Sequence, residues 1–498
     1  MDNRRFLVLV MDGLRPDLVT PERMPRLAAF RDTWSVASES RAQYPTVTRV
    51  NKVSFATGAT PGEHGVWYNG FYDPSVYPDR KIDLSVMSDV LESDKIYGRL
   101  IEVPTIGEYL ARAGRRYAAI HTATAGASWL IDYRGDQLGH AHYSFAGEYS
   151  CHPRELAETA EQTLGPQPQP DYPNLPQLEY AFDLFVEVMR PRFTPDVTVI
   201  WLSEPDKTLH RDGVDGPLAT AALKGLDRLF GRAHDWWAEV NGKGEEEWQL
   251  VVLSDHGHSR RCGRFDVAGR IREAGFDLSE RPATGRPYLS TAYPCGVYSE
   301  DDDSVVPRLA EWLQRQEWIG HLFTASDDPV HGSVPGTFSY RLVDIHNRRL
   351  PDLLFSLRGD DESDPSGFSG RFHTFGNEGD APSGTGHGGL TQSELRTVLF
   401  AGGSCFAHAR ATDAPASISD VTPTILSCLG LRTDTGSSGR VLSEILAADA
   451  DAVPVRAQYE RFVTGTEAGY SQTIDVARLN GRSYIAGGAT APIAGGCA

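Results

Sequence analysis

Long apolar runs are what this 498-residue sequence lacks most: none approaches the roughly eighteen residues needed to cross a bilayer, so no membrane association is expected. Cysteine is scarce as well. Cys151, Cys262, Cys295, Cys405, Cys428 and Cys497 show no CxxC spacing and are too thin a set for a disulfide framework in a chain of this length. A reduced, cytoplasmic setting is expected. Positive charge is also short, with 48 Lys and Arg against 67 Asp and Glu and a formal charge of -19. Broad repulsion then disfavours a nucleic-acid polymer or an anionic membrane as the main partner. An anionic small molecule can still bind where divalent cations or a few arginines invert the local field. Arg4 and Arg5 precede the apolar run Phe6 to Met11, but that run stops at Asp12 without a small-residue cleavage site, so it reads as a buried first strand. No repeat period is visible. A homo-oligomer is compatible with the sequence but nothing in it requires one.

What is present alternates. Phe6 to Met11, Tyr117 to His121, Val197 to Leu202 and Gln249 to Ser254 are short β-rich runs, interleaved with helix-like stretches at Thr105 to Ala113, Leu178 to Met189 and Ala219 to Val240. This pattern predicts an α/β core with a mostly parallel central sheet flanked by helices. From about Gly257 the sequence turns polar and rich in Pro and Gly, with one clear helix at Val306 to Gln316, which predicts an inserted cap subdomain over 258–385. Within it, Gly359 to Gly388 reads as an exposed or active-site loop. Core-like sequence resumes with Arg396 to Ala401 and a helix at Val421 to Leu429. The expected organisation is therefore a core over 1–257 and 386–445, the cap between them, and an extension over 446–498 with a hairpin pairing Thr473 to Val476 with Ser483 to Ala486.

Three carboxylates follow three of the apolar runs: Asp12, Asp206 and Asp255. In a parallel sheet they converge on the carboxyl edge, where open α/β sheets bind ligands. Asp206 has His210 four residues on, Asp255 has His256 beside it, and His387 stands in Thr385-Gly386-His387-Gly388-Gly389. Mixed Asp/His sets suit zinc or another first-row divalent ion. Taken singly, Asp12 reads first as a helix cap and His256 as a core histidine, and Asp206 with His210 reads also as a solvated helix face; it is jointly that they point to a metal site. Thr48 is the candidate nucleophile, because coordination to a divalent ion stabilises its alkoxide; Thr46 and Thr57 are the structural alternatives.

The motifs Met11-Asp12-Gly13-Leu14-Arg15-Pro16-Asp17, Pro45-Thr46-x-Thr48-x-x-Asn51, Ala56-Thr57-Gly58 with His64-Gly65, Glu204-Pro205-Asp206-x-x-x-His210, Ser254-Asp255-His256-Gly257 and Gly386-His387-Gly388 occur in the order found in nucleotide pyrophosphatases/phosphodiesterases. The chain thus resembles that family of the alkaline phosphatase superfamily, which includes the phosphonoacetate hydrolases. The resemblance implies an alkaline-phosphatase-like fold and two divalent ions, Zn2+ first and Mn2+ or Mg2+ next. By it, Asp206, His210 and His387 hold one ion, while Asp12, Thr48, Asp255 and His256 hold the other. Asn51 donates to a non-bridging phosphoryl oxygen. The implied reaction is in-line attack by Thr48 on a small anionic phosphorylated substrate, a phosphothreonine intermediate, and hydrolysis by water.

Substrate choice is less legible. Tyr97 to Ile131 is similar to the phosphonoacetate-hydrolase branch, but Thr124 and Gly126 stand where that branch carries a pair of lysines associated with the substrate carboxylate. Arg49, directly after the nucleophile, offers bidentate binding of extra phosphoryl charge, or else points to solvent. Trp67, Tyr68, Phe71 and Tyr72 serve either to stack on a leaving group or to pack under the cap. The expected function is a two-metal hydrolase of a phosphate diester, pyrophosphate or monoester. Carbon–phosphorus hydrolysis of a phosphonate and non-catalytic binding of a phosphorylated ligand are the alternatives.

Overall fold

The structure, a computed structural model, describes residues 3–146, 151–244, 246–283, 285–300, 302–364, 366–377, 384–433, 438–449 and 456–491. Its centre is an eight-stranded sheet made of β1 (Arg4–Met11), β2 (Ser35–Arg41), β3 (Tyr117–His121), β4 (Ala141–Ser144), β5 (Val197–Leu202), β6 (Glu247–Leu253), β7 (Leu399–Gly402) and β8 (Ala411–Ser417). Across the sheet the order is β8-β2-β7-β6-β1-β5-β3-β4. All neighbours run parallel except β7, which is antiparallel to both β2 and β6.

The continuous apolar run in β1 has a direct cause, since both faces of the strand are covered. Leu7, Leu9 and Met11 enter one core with Leu223, Leu226 and Phe230 of the long helix Pro217–Lys243. Phe6, Val8 and Val10 enter the other with Phe55, Leu110 and Ile425. Register then aligns the strand ends, with Met11 opposite Leu202 and Val10 opposite Leu253. Asp12, the Ser203–Asp206 turn and Asp255 consequently emerge at one edge.

Beyond Asp255 the chain leaves the sheet. A five-stranded sheet of Tyr288–Ser290, Cys295–Tyr298, Leu353–Leu357, Ile319–Thr324 and Phe338–Ser339 shares a core with the helices Val267–Glu273 and Val305–Leu313. The expected loop over Gly359 to Gly388 is corrected here. Its described part forms strands Gly359–Ser363, Ser369–Phe375 and Thr385–Gly386, which pair in a four-stranded sheet with Ser259–Phe265. Glycine and serine content misled the reading because these strands are short, and only Gly370 and Phe372 of the middle one are buried. Residues 378–383 of that stretch lie outside the described residues.

The terminal hairpin is present and longer than expected, Ser471–Leu479 against Arg482–Ala491, turning at Asn480–Gly481 with positive φ at both residues. A third strand, Gln458–Gly465, completes the sheet. Gln472 ties the sheet to the region beyond Asp255: its amide accepts from the Leu322 N–H and donates to the Leu322 and Gly336 carbonyls.

Candidate active site

At the carboxyl edge of the central sheet, three carboxylates and four histidines surround one threonine. Thr48 is the first residue of the helix Thr48–Thr57, entered from the extended Val47 and closed by Gly58 in the left-handed conformation. Its Oγ1 lies 3.1 Å from His256 Nε2. That nitrogen is 3.4 Å from Asp12 Oδ1 and 3.4 Å from Asp255 Oδ2. Thr46 and Thr57 are accounted for structurally. Thr46 Oγ1 donates to the Gly389 carbonyl and accepts from the Gly388 N–H, and Thr57 Oγ1 donates to the Val53 carbonyl.

The second cluster centres on Asp206, the first residue of the short helix Asp206–Asp212, so His210 is one turn away on the same face. Asp206 Oδ1 is 3.2 Å from His210 Nε2 and 3.3 Å from His387 Nε2. The Asp206 N–H donates to the Asp12 carbonyl at 2.9 Å, which couples the two strand ends. The expected groupings Asp206/His210/His387 and Asp12/Asp255/His256 therefore exist as compact donor sets.

The donor chemistry fits divalent cations. His387 Nδ1–H donates to the Thr46 carbonyl and His256 Nδ1–H to the Gly257 carbonyl, so in the neutral form each Nε2 presents a lone pair. His210 Nδ1 faces both the Thr385 carbonyl and the Arg261 guanidinium. The Nε2 atoms of His210 and His387 meet at 3.2 Å. Asp12 Oδ1, Asp206 Oδ1 and Asp255 Oδ2 are buried without hydrogen-bond donors. Their other contacts are fixed: Trp201 Nε1–H donates to Asp12 Oδ2 and the Gly13 N–H to Asp255 Oδ1. Electrostatics agree with the geometry. Burial and the Asp12 charge push the Asp255 carboxyl up to about 7. Burial opposes the charged form of His256, yet the Asp255 and Asp12 carboxylates lift it to about 9. The pocket calls for positive charge.

One expected role is corrected. Asn51 is fully buried and its amide serves the backbone, accepting from the Gln43 N–H at 2.7 Å and donating to the Gln43 and Val47 carbonyls. It has nothing left to offer a phosphoryl oxygen. Asn69 instead stands at the start of the Thr48 helix, its Oδ1 accepting the Arg49 N–H at 3.0 Å. No local pattern marked it, since it follows Thr48 by a whole helix and turn.

Two further residues escaped the reading. His258 is buried with Nε2 3.1 Å from Asp206 Oδ1, and its Nδ1 is 3.1 Å from Thr385 Oγ1. The second histidine in Asp255-His256-Gly257-His258 was the available signal. Gly13 makes room for it: a Cβ there would lie 2.5 Å from His258 Nε2, and φ is +73°. Lys52 is buried four residues after Thr48, on the same helix face. Its Nζ is 3.7 Å from Asp12 Oδ2 and 4.3 Å above the Trp201 ring. Burial pulls its pKa down to about 8 against the pull of Asp12, Asp255 and Asp206. Arg49 is half-buried, its Nε lacks an acceptor, and no carboxylate pairs with it among the described residues.

Around the site, Trp67, Phe71 and Tyr72 are buried, Trp67 Nε1–H donates to the Arg349 carbonyl, and Tyr68 donates to the Tyr293 carbonyl. Packing is what these aromatics do. Gly126 is enclosed: a Cβ there would sit 2.6 Å from the Leu84 carbonyl, so no long side chain fits.

The family model of type I phosphodiesterases/nucleotide pyrophosphatases matches residues 6–360. Venom phosphodiesterase 2 of Crotalus adamanteus is 24% identical over 324 residues, covering 64% of this chain and 34% of the relative. The venom phosphodiesterase of Macrovipera lebetinus is 22% identical over 322 residues, covering 64% of this chain and 33% of its own length. The matched stretch thus spans about a third of those curated relatives. Among solved structures, murine ectonucleotide pyrophosphatase/phosphodiesterase 5 superposes with a TM-score of 0.60 at 15% identity, covering 89% of this chain and 100% of that one.

Proposed function

This chain belongs to the type I phosphodiesterase/nucleotide pyrophosphatase family, and from that premise we propose that it is a two-metal hydrolase of a small organic phosphate ester, with Thr48 as nucleophile. The observation carrying the reading is the Thr48 hydroxyl, 3.1 Å from a histidine that two carboxylates flank, with a second Asp/His/His set beside it. Asp12, Asp255, His256 and Thr48 would hold one divalent ion, and Asp206, His210 and His387 the other. Zn2+ suits these donors best, with Mn2+ next. When bound, the ions supply Lewis-acid charge to the phosphoryl and departing oxygens and lower the proton affinity of a neighbouring hydroxyl.

The chain's own residues do the rest. Thr48 Oγ1 forms a bond to phosphorus as the opposite ester P–O bond breaks; the leaving group departs with the electron pair, and the threonine proton passes to solvent. Water then cleaves the phosphothreonine, releasing the phosphoryl product and restoring the hydroxyl. Asn69, its Oδ1 held by the Arg49 N–H, keeps two amide hydrogens for a phosphoryl oxygen. The helix N-terminus adds partial positive charge at the same place. A solved structure of an inactive variant of the murine relative is in complex with AMP, which supports a phosphorylated organic ligand here. A small substrate also suits the chain's net negative charge.

Thr48→Ala tests the reading: hydrolysis of p-nitrophenyl esters should fall by at least about 10³-fold while zinc content stays near that of the wild type. Acid quenching of the wild type during turnover should leave phosphate on the peptide containing Thr48. Equal rates for variant and wild type would remove the assignment.

A further inference from the structure

Resting on the two-metal reading, we propose that Lys52 and Arg49 make this centre selective for a dianionic phosphoryl group, that is, a monoester or a terminal phosphate, over the monoanionic group of a diester. Charge accounting carries the proposal. Asp12, Asp206 and Asp255 against two divalent ions leave a single positive charge, which a diester anion would neutralise before the Thr48 alkoxide is counted. Lys52 and Arg49 raise the surplus to three, matching a dianionic phosphoryl group together with that alkoxide. Both cations occupy the helix that carries Thr48, Arg49 as the next residue and Lys52 one turn on.

Asp12 draws on Lys52 and Asp83 on Arg49, but neither cation is hydrogen-bonded to a carboxylate among the described residues. Lys52 is fully buried; its nearest carboxylate oxygen, Asp12 Oδ2, is 3.7 Å off, too long for a hydrogen bond and already taken by Trp201 Nε1–H at 3.0 Å. Arg49 has a buried Nε without an acceptor, and its only side-chain hydrogen bond among the described residues is a 3.5 Å contact with the Asn69 carbonyl. A buried ammonium beside a metal ligand repels metal ions, so metal binding alone does not explain it. An anion of higher charge does. A fixed charge within a few ångströms of an anion that is partly screened from water changes its binding by about tenfold or more.

The sign of this effect separates it from a structural role. A lysine that merely supports Asp12 would, on removal, weaken cation and anion binding together. A lysine that serves the anion would, on removal, weaken only the anion. The experiment uses the zinc-loaded full chain and measures kcat/KM on p-nitrophenyl phosphate and bis(p-nitrophenyl) phosphate for wild type, K52M, K52R and R49M, with zinc retention against a competing chelator. The expected result is a wild type that favours the monoester. K52M and R49M each shift the monoester-to-diester ratio toward the diester by about tenfold or more, K52R keeps it, and K52M retains zinc at least as tightly as the wild type. A wild type that favours the diester, or a K52M that loses both activities equally and sheds zinc, overturns the proposal. Should K52M not fold, competitive inhibition of the wild type decides alone: inorganic phosphate should bind about tenfold or more tighter than dimethyl phosphate, and equal or reversed affinity overturns the proposal. A wild type that holds no zinc and cleaves neither ester overturns the two-metal reading itself.

Discussion

Thr46, Thr48 and Thr57 share one side chain and differ in what surrounds it. Two donate to backbone carbonyls, and the third faces a histidine between two carboxylates. Thr48 was singled out by its motif and because a hydroxyl nucleophile needs a metal beside it, and the structure sets its hydroxyl 3.1 Å from His256 Nε2. His258 was legible only as the second histidine of Asp255-His256-Gly257-His258, because nothing in the sequence ties it to Asp206 until the two are folded together. Asn51 misled for the converse reason: an amide near a nucleophile looks functional until its backbone partners are known. His258 sits against Asp206 Oδ1, so His258→Ala should reduce zinc affinity by about 10- to 100-fold, as read by chelator competition. An unchanged affinity would mean that Asp206 is oriented without it.

Elements placed the site. β1, β5 and β6 were readable as apolar runs because both their faces are buried, and their aligned register brings Asp12, Asp206 and Asp255 to one edge. The strands Gly359–Ser363 and Ser369–Phe375 were not readable, since they are short and little buried and, although they pair with each other, the strand that ties them to the sheet, Ser259–Phe265, is about a hundred residues earlier. The turn after Tyr340–Val343 carries a testable charge. Asp344, at φ +53°, is held by burial and by Glu63 at a pKa of about 7, against an unfolded value of about 4. The folded state prefers the neutral acid, so this contribution to stability is complete below about pH 4 and is lost as pH rises through about 7. Asp344→Asn, which tolerates the same backbone, should flatten that part of the profile of denaturant midpoint against pH. A profile parallel to the wild type would show that Asp344 is not the titrating group.

Across the whole molecule, the donor sets draw on residues from Asp12 to His387, so metal binding and folding are linked. Chelation should lower the melting temperature, and free zinc at about 100 times its Kd should add about 2.7 kcal/mol of stability. An apo protein that melts with the holo protein would contradict this linkage. The terminal sheet belongs to the same unit, since Ile474, Val476 and Ile485 share a core with Val53, Phe323 and Tyr340. Its hairpin was visible through the Asn480-Gly481 turn, whereas its third strand, mostly exposed, was not.

The measurement that bears most directly on the centre is a crystal structure of the zinc-loaded protein with vanadate, phased to reveal anomalous scatterers. Two zinc peaks are expected, one among Asp206, His210 and His387 and one among Asp12, Asp255 and His256, with vanadium bonded to Thr48 Oγ1. A single peak, or vanadate bound away from Thr48, would contradict a threonine nucleophile served by paired cations.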